Sequence, residues 1–171
     1  MRHMLALAML CCCWPQISIG QPKFPWRAAT PAELEAFLPS RAPVDRERIE
    51  TEMRTASGIV NERGQLIASV VLITAGYSAE GKYSHYLLTQ RALKLNDALS
   101  LPPGAYVIGW TRGNDGLHVH VFEAATVKEL GTVVALPIPQ PGRVEAFRIW
   151  PPNEHRYIQI GRYMLVYSIS N

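Results

Sequence analysis

His118-Val119-His120 is the arrangement in this chain best suited to chemistry. On a β-strand, residues two apart stand on one face about 6.5–7 Å from each other along the chain, a spacing at which two imidazoles can share zinc or copper. A metal centre needs further ligands, and His85, His155, Glu123 and Asp115 are the candidates. Glu123 has the wrong parity to join from the same strand. Val119 and Val121 form the natural core face of this segment, so the pair also fits a simpler role as solvent-facing residues of an amphipathic strand, where histidine is common at intermediate exposure.

The His-x-His spacing is similar to part of the first cupin motif, in which such a pair on a strand is followed by a glutamate and then a glycine. Gly113, His118, His120, Glu123 and Gly131 stand in that order, but Glu123 falls one or two residues early. The Pro102-Pro103-Gly104 turn precedes the pair, where the second cupin motif would follow it with a histidine of its own. The likeness covers under a quarter of the chain and misses the metal-bearing glutamate, so membership of that family is not inferred.

A second constellation is aromatic. Tyr106, Ile108 and Trp110 share one strand face by even spacing, and Trp150 borders the Pro151-Pro152 loop. Rigid rings give large contact area at low entropic cost, so Tyr106, Trp110 and Trp150 are candidate contacts for a protein or carbohydrate partner. Tyr106 and Trp110 also read as one wall of a hydrophobic core, which leaves Trp150 the better surface candidate. His85, His155 and several serines supply hydrolase residue types, yet no Gly-x-Ser-x-Gly elbow occurs and Ser57-Gly58 and Ser84-His85 have the look of chance neighbours. No phosphate-cradling glycine loop or paired-carboxylate motif is present. The expectation is therefore no catalytic residue and no obligatory cofactor, with zinc or copper at His118 and His120 as the alternative.

Arg2 and His3 precede the apolar run Met4 to Trp14, and Ser18-Ile19-Gly20 offers small residues at the −3 and −1 positions of a signal-peptidase site. That order predicts a secretory signal over residues 1–20, cut between Gly20 and Gln21, and an exported protein, periplasmic or extracellular. The apolar run is shorter than the roughly 20 residues a membrane-spanning helix requires. Cys11, Cys12 and Cys13 all fall within it, so the mature chain would lack cysteine, and with it disulfides, thiolate catalysis and Cys-containing zinc sites. Cys11 follows Met9-Leu10, a poor context for lipid attachment. The formal charge is +3, with no run or stripe of Lys and Arg, and the footprint of a nucleic-acid binder is missing. No later apolar stretch is both long and charge-free, which excludes stable membrane insertion after cleavage.

Five prolines between Gln21 and Pro43 rule out a long helix or central strand across that segment. One short helix fits: Thr30 as N-cap, Pro31 at the first helical position and Glu33 at the third make a capping box, with Leu34, Phe37 and Leu38 on one face. Asp45 to Thr55 reads as a strand by the alternation of Ile49, Thr51 and Met53, and Ser57–Val60 enters a hairpin through Asn61-Glu62-Arg63-Gly64. Short β-type runs follow over 66–74, 83–95, 105–110, 117–123, 130–136, 144–150 and 157–169. They are separated by turn signals at 76–81, 101–104, 112–116, 124–129, 137–142 and 151–154. In the last run Ile158 and Ile160 hold one parity and Tyr163, Leu165, Tyr167 and Ile169 the other, which predicts a β-bulge at Gly161-Arg162.

Short strands at this spacing predict an all-β fold, an antiparallel β-sandwich with a barrel as the alternative. The expected organisation is a signal over 1–20, a Pro-rich extended segment with one short helix over 21–43, and a single domain over 44–171. The corresponding function is an exported, non-enzymatic binding or assembly module, such as an accessory component of the cell envelope. The other class is a metal-binding protein or small metal-dependent enzyme centred on His118 and His120.

Overall fold

The computed structural model describes residues 26–74, 81–140 and 142–170. The signal predicted over 1–20, its predicted cleavage site and residues 76–80 of the turn predicted over 76–81 lie outside those residues. Among the described residues no helix is long and apolar enough to cross a membrane.

The chain enters through β1 (Arg27–Ala28) and a short helix, α1 (Pro31–Phe37). The capping box forms as its sequence dictates. Thr30 Oγ1 accepts the Glu33 N–H, and Glu33 Oε2 accepts the Thr30 N–H at 2.8 Å, so two helix-end donors are satisfied reciprocally. Arg27 grips both oxygens of Glu33 at 2.6 and 2.8 Å, and this hydrogen-bonded guanidinium, ahead of the Thr30 N–H, pulls the Glu33 carboxyl down to about 2. Leu34 and Leu38 turn inward and are buried.

A small hairpin follows, β2 (Arg41–Val44) with β3 (Glu47–Glu50), and then a 3-10 turn over Met53–Thr55. The strand predicted over 45–55 is therefore shorter than its alternation suggests. Asp45 takes a positive φ of 52° in the hairpin turn, and the Ala56 N–H bonds back to the Met53 carbonyl.

The main sheet is antiparallel and twelve-stranded. Its first half runs β1, β4 (Ser57–Val60), β5 (Leu66–Leu72), β6 (His85–Thr89), β9 (Gly104–Arg112) and β10 (Leu117–Glu123). It continues through β11 (Glu129–Pro137), β14 (Tyr163–Ser170), β13 (Tyr157–Gly161) and β12 (Glu145–Ile149), while the hairpin β7 (Ala92–Leu95) with β8 (Leu99–Leu101) joins at β14. The sheet folds over on itself, bringing β12 back against β4, where the Ile149 N–H reaches Ser57 Oγ at 3.0 Å. Among the described residues no backbone ladder closes that seam, so the architecture is sandwich-like and the barrel alternative is not adopted.

Two apolar layers result. The first core lies inside the fold, between Ile59, Leu87, Ile108 and Val119 on one wall and Leu93, Phe147, Ile160 and Leu165 on the other. The second covers the back of the central strands: Val71, Tyr86, Val107 and Phe122 meet Leu34, Leu38, Val44 and Ile49 of the helix and small hairpin. Strands sandwiched between both layers must be apolar on both faces, which accounts for the nearly unbroken run Leu66 to Leu72.

Two predicted runs divide. The run 83–95 breaks at Gln90-Arg91: β6 stays between β5 and β9, whereas β7 crosses to the opposite wall and pairs with β14. The run 157–169 is a hairpin and not one bulged strand. Ile160 pairs with Tyr163 across Gly161-Arg162, and Gly161 takes φ +61°, as the first central position of a two-residue hairpin loop can require. Residues three apart across such a loop face the same way despite opposite parity. Ile158 and Leu165 are therefore partners on one face, both buried.

Candidate functional site

Strand β10 lies between β9 and β11, and its alternation is as predicted: Val119 and Val121 are fully buried in the first core, while His118 and His120 emerge on the back of the sheet. The two imidazoles do not converge on one point. His118 Nε2 turns to Asp115 Oδ1 at 2.7 Å in the β9–β10 turn, and that contact lowers the Asp115 carboxyl below its usual range. His120 turns to β11, where Nδ1 meets Glu129 Oε1 at 3.2 Å and Thr132 Oγ1 at 2.9 Å, while Nε2 faces Thr111 Oγ1 of β9 at 3.2 Å.

The other proposed ligands are spread over the molecule. His85 projects into the first core, on the sheet face opposite His118 and His120, and burial pushes its imidazole down to about 4. His155 stacks on Tyr157 with centroids 5.1 Å apart in the β12–β13 connection. Glu123 accepts the Thr126 hydroxyl at 2.6 Å. Among the described residues, no three of His, Cys, Asp and Glu are grouped so as to hold a metal ion.

Glu129, Thr132 and Thr111 are the His120 partners that sequence reasoning did not find. Thr132 stands directly opposite His120 in the β10–β11 register, and a register shift between Val121 and Phe122 brings Glu129 opposite Phe122. The hairpin register would have indicated Thr132; Glu129 depends on the irregularity. Thr111, His120 and Glu129 border a cavity of about 480 Å³ that Phe122 and Val127 also line. Gly109, across from His120, is obligatory there, because a Cβ would fall 1.8 Å from the Lys82 carbonyl oxygen that crosses it.

The aromatic candidates separate. Tyr106 is a core residue whose hydroxyl donates to the Pro102 carbonyl at 2.6 Å. Trp150 is half-buried with the Arg148 guanidinium 3.9 Å over its ring, and its indole N–H donates to Gln159 Oε1 at 3.0 Å. Trp110 is half-buried against the first core and lines both the cavity beside His120 and a larger cleft of about 850 Å³.

That cleft is the open end of the first core, where Leu117, Ile160 and Tyr163 continue the interior toward solvent and Val144, 51% exposed, stands among the lining residues. Among the described residues Arg112 and Arg162 are the charged ones lining it, and no acidic residue does. Among the described residues neither arginine makes an ion pair, and the Arg112 guanidinium lies 6.0 Å from the centre of the Tyr163 ring.

Comparison with family models, curated proteins and solved structures returns no match to this chain, so the site is interpreted from its own geometry.

Proposed function

We propose that this chain is an exported binding or assembly module, and that its cleft takes an apolar, acidic segment of a partner protein. The observation that carries the reading is the pairing of an open apolar wall, Trp110, Leu117, Ile160 and Tyr163, with two arginines that no acidic residue of the cleft neutralises. An inserted apolar side chain would cover surface that the two layers leave open, and a carboxylate beside it would meet guanidinium donors suited to bidentate pairing. A carbohydrate finds little in this cleft to satisfy its hydroxyls. Trp150 is less available for sugar stacking than its position by the loop suggests, because Arg148 covers one of its faces.

The test is calorimetric titration with short peptides carrying Leu or Phe next to a C-terminal carboxylate, against the same peptides amidated. Saturable binding that weakens on amidation and in Arg112→Ala or Arg162→Ala supports the reading. Equal binding of both forms, or binding of dodecanoate alone, overturns it.

A further inference from the structure

His120 is held by partners that leave it one protonation pattern as a neutral ring. Glu129 is an acceptor only, and hydrogen bonds from His120 and Thr132 hold its carboxyl below the usual range. The Thr132 hydroxyl donates to Glu129 Oε1 at 2.9 Å, so its lone pairs face Nδ1. Both neighbours of Nδ1 are then acceptors and the proton belongs on Nδ1. Nε2 is left with a lone pair directed at the Thr111 hydroxyl, 3.2 Å away. Hydroxyl, imidazole and carboxylate stand in series on three adjacent strands, the order in which a base oriented by an acid activates an alcohol.

The surroundings suit a small acyl group. The cavity of about 480 Å³ beside Thr111 and His120 has Phe122 and Val127 as apolar walls, with Lys82 also at its lining. Val127 occupies its wall in the left-handed region at φ +53°, a conformation that is rare for a β-branched residue. Backbone strain of this kind concentrates at functional sites.

We propose that Thr111, His120 and Glu129 form an acyl-transfer site for small apolar acyl esters, with Thr111 as nucleophile, His120 as general base and Glu129 as the positioning residue. Thr111 Oγ1 forms a bond to the acyl carbon as its proton passes to His120 Nε2, and the carbon–oxygen bond to the leaving alcohol breaks as that proton is returned to the departing oxygen. A water molecule, deprotonated by the same Nε2, then hydrolyses the acyl-Thr111 ester to acid and free hydroxyl. The site is separate from the arginine cleft, with Trp110 common to both, and it stands or falls independently of the binding reading.

The experiment exposes the full chain to p-nitrophenyl acetate, following p-nitrophenolate release and locating acetyl groups by peptide mass spectrometry. The expected result is acetyl on Thr111, absent in Thr111→Ala and restored on the serine hydroxyl in Thr111→Ser. His120→Gln lowers the rate about 10²-fold or more, the scale of lost general-base catalysis, and Glu129→Gln lowers it without altering the circular dichroism spectrum. Glu62→Gln, in the exposed turn between β4 and β5 and away from the relay, leaves the rate unchanged. Acetylation confined to lysines and the amino terminus, or Thr111 acetylation at equal rate in His120→Gln, overturns the proposal.

Discussion

The imidazole of His85 lies against the ring of Phe147, centroids 4.9 Å apart and planes inclined by 29°, joining β6 to β12 across the first core. Trp110 closes on the same imidazole at 5.1 Å, and Ser84 Oγ lies 3.0 Å from its Nδ1. Among the described residues no carboxylate attends it, so burial dominates and the neutral ring is favoured, with the proton lost down to about pH 4.

A defined acid instability follows. The unfolded imidazole takes up its proton near pH 6.5 and the folded one near 4, so the contribution to stability is complete above 6.5 and is lost as pH falls toward 4. Its size is about 3 kcal/mol, since each pKa unit corresponds to roughly 1.4 kcal/mol. Urea unfolding midpoints of wild type should drop across that window. His85→Phe, which keeps a ring between Phe147 and Trp110, should remove most of the drop; an unchanged pH profile would show that His85 is not its source.

The final hairpin makes a second prediction. A Cβ built on Gly161 meets nothing within 4 Å, so substitution there meets no clash and its cost comes from holding an L-residue at φ +61°. Gly161→Val should destabilise by about 1–2 kcal/mol, and Gly161→Asn by less, because asparagine tolerates the left-handed region. Equal losses for the two variants in thermal unfolding would point to a packing role for this turn instead.

These two sites also mark how far the sequence could be read. Alternation placed Val119 and Val121 inward and His118 and His120 outward, and the capping box located α1, because both rest on local spacing. The parity change at Gly161 was visible as well, but a bulge and a two-residue hairpin produce the same pattern; only the pairing of β13 with β14 separates them. The break of 83–95 at Gln90-Arg91 carries no strong punctuation, since the chain changes layers without changing hydrophobicity. The relay partners of His120 come from two neighbouring strands, one through a register shift, and no spacing along the chain encodes that contact.

Export carries its own prediction. If the chain is exported as proposed, the pattern of Arg2, the apolar run to Trp14 and the small residues Ser18 and Gly20 predicts cleavage before Gln21. Protein recovered from the exported fraction of an expressing cell should give an intact mass for a chain starting at Gln21, free or cyclised to pyroglutamate. Retention of the first twenty residues, or a lipid-sized increment on a cysteine, would exclude that processing.

Gln159 is the last case, and it opposes His85 in sign. This side chain is 3% exposed, accepts the Trp150 indole N–H at 3.0 Å and donates to the carbonyls of Arg143 and Gly161, both at 2.9 Å. Gln159→Leu leaves those groups without their partner and should cost about 2 kcal/mol, with a shift of the Trp150 indole proton resonance. Gln159→Glu keeps the acceptor for Trp150 but turns a buried anion toward two carbonyl oxygens. Desolvation and repulsion then raise the new carboxyl's pKa, so the deficit of this variant relative to wild type should shrink as pH falls, although both proteins lose stability through His85. Unfolding midpoints at neutral pH and at about pH 5 decide the matter: a Gln159→Glu deficit that stays constant between them would mean that its cost does not come from a buried carboxylate.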